Sequence, residues 1–85
     1  MTMRVLYFAW VRERIGVGEE EASPPESAKT IADLIDWLAT RSDGHAAAFA
    51  DRTRLRAAID QDFVLLDTPI AGAREIAIFP PVTGG

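Results

Sequence analysis

Few groups in this 85-residue chain are placed to do chemistry, and the most accessible is a main-chain one: the carboxylate of Gly85, at the end of Phe79-Pro80-Pro81-Val82-Thr83-Gly84-Gly85. Glycines lack a Cβ, so Gly84 and Gly85 make the thinnest thread a polypeptide can offer to a narrow active site. Chance alone would end roughly one chain in 200 on two glycines, so the pair needs its context to carry weight. Pro80 and Pro81 supply it. Each fixes φ near about −65° and donates no hydrogen bond, which ends a preceding strand and sends the tail out in an extended direction. At about 3.3 Å per residue, the six residues from Pro80 span on the order of 20 Å, enough to enter a pocket on another protein.

Side-chain chemistry has little to work with. The chain has no cysteine, which removes disulfides, thiolate metal sites, thiol nucleophiles and persulfide relays together. Its single histidine, His45, follows Ser42-Asp43-Gly44 ahead of an alanine run, where a helix-start or surface role is expected rather than catalysis. Glu19-Glu20-Glu21 reads as the solvated edge of a hairpin, without a convergent ligand pattern, so no metal site is expected. Arg52, Arg54 and Arg56 alternate, as do Arg12 and Arg14, and both sets read as solvated faces or local pairs with Asp51 and Glu13. Thirteen acidic against nine basic residues give a net charge of −4, which disfavours nucleic acid and anionic lipid and favours basic protein partners. No apolar run is long enough to span a membrane, and Met1-Thr2-Met3-Arg4 leads into a strand pattern rather than a secretory segment; a cytoplasmic, soluble protein is expected.

The elements that must position the tail follow from periodicity. With 48% apolar residues the chain suits one small domain, residues 1–79, followed by an extended tail over 80–85. Met3 to Ala9 is a strand pattern, and Trp10 to Ile15 a brief helical turn closed by Gly16. Gly18 to Ala22 returns as an edge strand. Thr30 is a good N-cap with Asp33 at the third helical position, and Ile31, Leu34, Ile35 and Leu38 recur at helical spacing, predicting a helix over 31–41. A second short helix is expected over 45–51, a hairpin from 55–59 and 63–66 around Asp60-Gln61-Asp62, and a last strand over 75–79. A hairpin, a helix across one face and further strands, with the last strand parallel to the first, make an α+β protein of the ubiquitin-like β-grasp type: a mixed sheet with one main helix on one face.

Strand parity places side chains on the two faces. Arg4, Leu6 and Phe8 share one face of the first strand, and Glu75, Ala77 and Phe79 one face of the last. The charged residues mark these as the wetter faces. Phe8 and Phe79, joined by Phe63, would then form an apolar patch away from the helix, which reads as a protein interface. Trp10 and Trp37 are expected to be packing residues, with Trp37 half exposed.

Val5-Leu6-Tyr7-Phe8-Ala9, then Val11-Arg12-Glu13 and Gly16, the Thr30-to-Leu38 helix and the Phe-Pro-Pro-Val-Thr-Gly-Gly ending together resemble the small, sulfur-carrying subunits of molybdopterin synthase, the MoaD family. The resemblance spans essentially the whole chain. It implies that an adenylating enzyme related to ubiquitin activators uses ATP to convert the Gly85 carboxylate to an acyl adenylate, which a sulfur donor turns into a thiocarboxylate. It further implies that Pro80, Pro81, Val82, Thr83 and Gly84 enter the large synthase subunit in a heterotetramer, delivering sulfur to cyclic pyranopterin monophosphate to build the molybdopterin dithiolene. Phe8, Phe63 and Phe79 correspond to apolar interface positions. On this reading the chain is the sulfur-donating subunit of a sulfurtransferase, with no catalytic side chain and no bound cofactor of its own. Asp60 stands where the family commonly has Asn, and Gly72-Ala73-Arg74-Glu75 replaces a Gly-Asp-Glu type turn. Two other readings share the diglycine chemistry: a β-grasp carrier for thiamine synthesis, and a ubiquitin-like modifier joined to target lysines.

Overall fold

The structure, a computed structural model, describes residues 2–81. In chain order the elements are β1 (Met3–Tyr7), α1 (Ala9–Ile15), β2 (Glu19–Ala22), α2 (Ile31–Leu38), α3 (Asp43–Ala48), a 3₁₀ turn (Arg52–Arg54), β3 (Arg56–Ile59), β4 (Asp62–Val64) and β5 (Glu75–Phe79). The five strands form one mixed sheet in the order β2-β1-β5-β3-β4. Its two central strands, β1 and β5, run parallel with Val5 opposite Ile76 and Tyr7 opposite Ile78. The other pairings are antiparallel. This is the β-grasp arrangement that the sequence pattern predicts.

One face of the sheet is closed by helices. Val5, Tyr7, Ile76 and Ile78 alternate inward and meet the stripe Ile31, Leu34, Ile35 and Leu38 of α2, all essentially without solvent exposure. At about 25 cal/mol per Å² this burial supplies the main drive to fold. The start of α2 is fixed by a capping box: the Asp33 amide donates to the Thr30 hydroxyl at 3.2 Å, and the Thr30 amide donates back to the Asp33 carboxylate at 3.2 Å. With the Lys29 amide also donating at 2.9 Å, these amides hold the Asp33 carboxyl below its usual range.

Several boundaries differ from the sequence expectation. The helix predicted to reach residue 41 ends at Leu38, because the Thr40 and Arg41 amides bond three residues back and the Thr40 hydroxyl takes the Trp37 carbonyl at 2.6 Å. The first strand stops at Tyr7 rather than Ala9, since Ala9 turns into the left-handed region (φ 54) to start α1. The short helix begins earlier than 45, with Ser42 as its N-cap. The hairpin turn needs only Asp60 and Gln61, both at positive φ, leaving Asp62 paired opposite Ile59 in β4. Gly44 lets α3 lie close against α1: a Cβ there would come within 2.5 Å of the Arg14 carbonyl oxygen.

The expectation that His45 sits at the surface is corrected. It stands at the start of α3 but is 7% exposed. Its Nε2–H donates to Glu20 at 2.6 Å, its Nδ1 faces the Ser42 hydroxyl at 2.6 Å, and its ring packs near Tyr7 and Phe49. The Glu19-to-Glu21 edge is likewise solvated only in part, because Glu20 turns inward. The Tyr7 hydroxyl donates to the same Glu20 oxygen at 2.6 Å, and the Arg41 guanidinium lies 3.7 Å from the other. Ser42, His45 and Glu20 thus line up as in a nucleophile triad. Here, however, the Ser42 oxygen caps α3 by accepting the His45 amide, and Glu20 is shared with Tyr7, so the chain of bonds ties β2 to α3.

Burial raises the Tyr7 phenol far above its usual range, with the Glu20 contact adding to it, and so Tyr7 remains a donor. For Glu20 burial also acts upward, but the hydrogen bonds from Tyr7 and His45 and the nearby positive charge more than offset it and hold the carboxyl below its usual value. A depressed carboxyl contributes stability above its unfolded-state pKa and loses it as pH falls through the folded value. Glu20→Gln should therefore cost about 1 to 3 kcal/mol at neutral pH, with the gap closing in acid. Urea unfolding at neutral and acidic pH checks this; a pH-independent gap would mean that ionised Glu20 is not what the network uses.

Candidate docking face and tail root

Register across the sheet determines what its open face presents. Glu19, Leu6, Ala77, Ala58 and Phe63 form one row across the strands; toward one end lie Glu21, Arg4 and Glu75, and toward the other Phe79 opposite Arg56, with Phe8 alongside. The apolar row and the phenylalanines enclose a shallow concavity of about 550 Å³, lined by Leu6, Phe8, Ala58, Phe63, Ala77 and Phe79 among others. Phe8 is 48% and Phe63 80% exposed, while Phe79 is partly covered, its ring 5.6 Å from that of Phe63. Exposed aromatic surface of this kind, on a sheet whose other face holds the core, is what an interface uses.

The three phenylalanines expected to share a face are thus brought together. Pro80 and Pro81 line the same concavity, so the root of the tail leaves from its rim. Val82, Thr83, Gly84 and Gly85, the remainder of the predicted tail, lie outside the described residues. The sequence pattern does not single out Leu65, 75% exposed just after β4, or the small Ala58 that floors the hollow together with Ala77. Parity marks Ala77 as sharing the Phe79 face, but size complementarity is invisible without the neighbouring strands.

β5 is aimed by its first residues. The Asp60 carboxylate accepts the amides of Arg74 and Glu75 at 3.1 and 2.9 Å, and the Asp60 amide donates to the Glu75 carbonyl at 2.8 Å. Gly72, at φ 80, supplies the left-handed turn that feeds the strand. Asp60 and the Gly72-to-Glu75 turn therefore work as a unit that sets the register of β5 and, through it, the position of Phe79. Among the described residues, no three acidic or histidine side chains converge as a metal site, and no helix is long and apolar enough to cross a membrane.

Residues 5–85, which include the diglycine ending, match the ThiS family. The chain belongs to the ThiS family. Within this family, it is 40% identical over 83 residues to the molybdopterin synthase sulfur carrier subunit of Escherichia coli strain K12, covering 98% of this chain and 99% of that protein. The protein of the same name from Haemophilus influenzae is 38% identical over 84 residues, again covering 98% and 99%. A Pyrococcus furiosus structure, 28% identical over 96% of this chain and 99% of its own, superposes with a TM-score of 0.75. SAMP1 from Haloferax volcanii, covering 100% of both chains with a TM-score of 0.72 at 23% identity, shares the fold.

Proposed function

We propose that this ThiS-family chain is the sulfur carrier subunit of a cytoplasmic molybdopterin synthase, with residues 1–79 as the docking body and 80–85 as the delivered tail. The observation that carries the proposal is the continuity of the Phe8, Phe63 and Phe79 face with Pro80 and Pro81, on a chain related end to end to named sulfur carriers of that synthase.

The chemistry requires little of the chain's own side chains. A carboxylate is a poor acyl donor because its oxygen is a poor leaving group. An adenylating enzyme lets the Gly85 carboxylate attack the α-phosphorus of ATP, releasing pyrophosphate and forming an acyl adenylate. A sulfide equivalent then attacks the carbonyl carbon and AMP departs, leaving a thiocarboxylate whose sulfur is largely ionised and nucleophilic at neutral pH. The tail enters the large subunit, where the sulfur attacks a side-chain carbon of the pterin precursor and displaces an oxygen group from it, giving a thioester. Water then cleaves the acyl–sulfur bond, leaving the sulfur on the pterin and returning Gly85 to a carboxylate for recharging. The body fixes where the tail emerges, and the pocket for the phosphorylated pterin belongs to the partner.

Intact-mass measurement after incubation with the adenylating enzyme, ATP and a sulfur donor tests this reading. The expected result is a sulfur-for-oxygen mass increase confined to Gly85. Conjugates on target lysines, or on Lys29, the only lysine here, would instead indicate a protein modifier. An unchanged mass would reject carrier chemistry.

A further inference from the structure

The net charge of −4 conceals a polar distribution of charge along the sheet. At the end where β1 and β5 finish and the tail begins, the cations gather. Arg56 is exposed directly opposite Phe79 across β3 and β5, its Nη1 held by the carbonyls of Thr53 and Leu55 at 3.2 and 2.8 Å. Two residues earlier, Arg54 lies over the Trp10 ring at 5.1 Å, and Arg14 of α1 lies 5.2 Å from the same ring. One half-buried indole therefore holds two exposed guanidinium groups, and two residues along the chain from Arg54 stands a third arginine, Arg56, paired with Phe79 of the docking face. On α1 and the 3₁₀ turn the acidic residues are Glu13 and Asp51, and Asp51 is engaged by the Thr53 hydroxyl and amide at 2.6 and 3.0 Å. The opposite end of the sheet carries Glu21, Glu75, Asp60 and Asp62 against Arg4 and Arg74.

We infer that Arg14, Arg54 and Arg56 form a cationic rim that orients the carrier on its partner. This rests on the function proposed above. The rim's counterpart is a set of carboxylates on the large synthase subunit, around the mouth that receives the tail. The sequence-based expectation of a basic partner surface thus reverses locally: a partner positive throughout would repel the end of the carrier that must approach it. Two observations converge on this. Arg56 pairs across the sheet with Phe79, which lines the aromatic concavity, and Arg14 and Arg54 are pre-positioned on Trp10 rather than free to fold away, while Asp51, the carboxylate beside Arg54, is turned to Thr53. An acidic mouth around a deeper pocket for a phosphorylated substrate also keeps the two binding tasks apart in space.

Association kinetics of the full chain with the cognate large subunit, at low and high ionic strength, test the rim. The Arg54→Glu/Arg56→Glu double variant should associate about ten-fold or more slowly at low salt and recover at high salt, with Arg54→Gln/Arg56→Gln between it and the parent. Arg74→Glu, at the far end, should change the rate less than about two-fold. Matching circular dichroism and thermal melts would confirm that the variants fold. A double variant that binds as fast as the parent at low salt, or faster, overturns the rim while leaving the carrier reading intact. Failure of the parent itself to bind the large subunit overturns both.

Discussion

A chain lacking Gly85 should fold and bind its partner yet carry no sulfur. Glycine has no side chain, and among the described residues the core cluster runs from Met3 to Ile78, so the deletion removes no apolar group from it. It does, however, move the carboxylate back by one residue, about 3.3 Å, and a displacement of even 1 Å in a reacting group can cost 10²-fold in rate. Loss of thiocarboxylate formation by mass spectrometry, with an unchanged thermal melt and unchanged affinity for the large subunit, is the expected outcome. If the shortened chain still supported molybdopterin formation, the terminal carboxylate could not be the working group.

Phe79→Ala should produce the converse pattern. Phe79 bridges the sheet and the tail: it is paired with Arg56 in β3, packs against Phe63 and immediately precedes Pro80. Aromatic anchors near the centre of an interface commonly lose about 2 to 4 kcal/mol on truncation, a factor of roughly 30 to 1000 in Kd. Because its ring is on the open face and not among the inward residues, the fold should lose far less than it would from an equivalent change at Ile78. Titration against the large subunit reads the affinity, and denaturant unfolding the stability. Unchanged affinity would remove Phe79 from the interface.

Much of the architecture is readable in the sequence because the physics that sets it is local. Thr30 and Asp33 announce α2 by a reciprocal cap, and the alternation of Val5 and Tyr7 against Leu6 and Phe8 assigns faces before any strand is paired. Gly16 closes α1 at φ 98, as a glycine there suggests. What local pattern does not disclose are contacts made across long stretches of chain. Glu20 and His45 are 25 residues apart, and each alone reads as an ordinary surface group; only the packing of α3 beside β2 turns them into a bonded pair. The rim has the same origin. Arg14 and Arg54 are separated by 40 positions, and nothing in either neighbourhood says that both will settle on Trp10. Asp60, which stands where the resembled family commonly has Asn, accepts the Arg74 and Glu75 amides on its carboxylate, a contact no local pattern around residue 60 announces.

The position of β5 in the middle of the sheet has a mechanical consequence. A tail drawn out of a partner's pocket pulls along the axis of the strand that bears it. That strand is bonded to β1 on one side and β3 on the other, and its neighbour β1 runs parallel to it. Ladder bonds lie across the strand direction, so tension loads both ladders in shear and must break many bonds together instead of unzipping them singly from an edge. Resistance to such pulling is governed by the unfolding rate, and a shear geometry keeps that rate low. Were the tail attached to the short edge strand β4, a single three-residue ladder would carry the load; in the proposed carrier function, attachment to β5 shares it between two ladders and lets the body be docked and pulled free repeatedly with its strands in register.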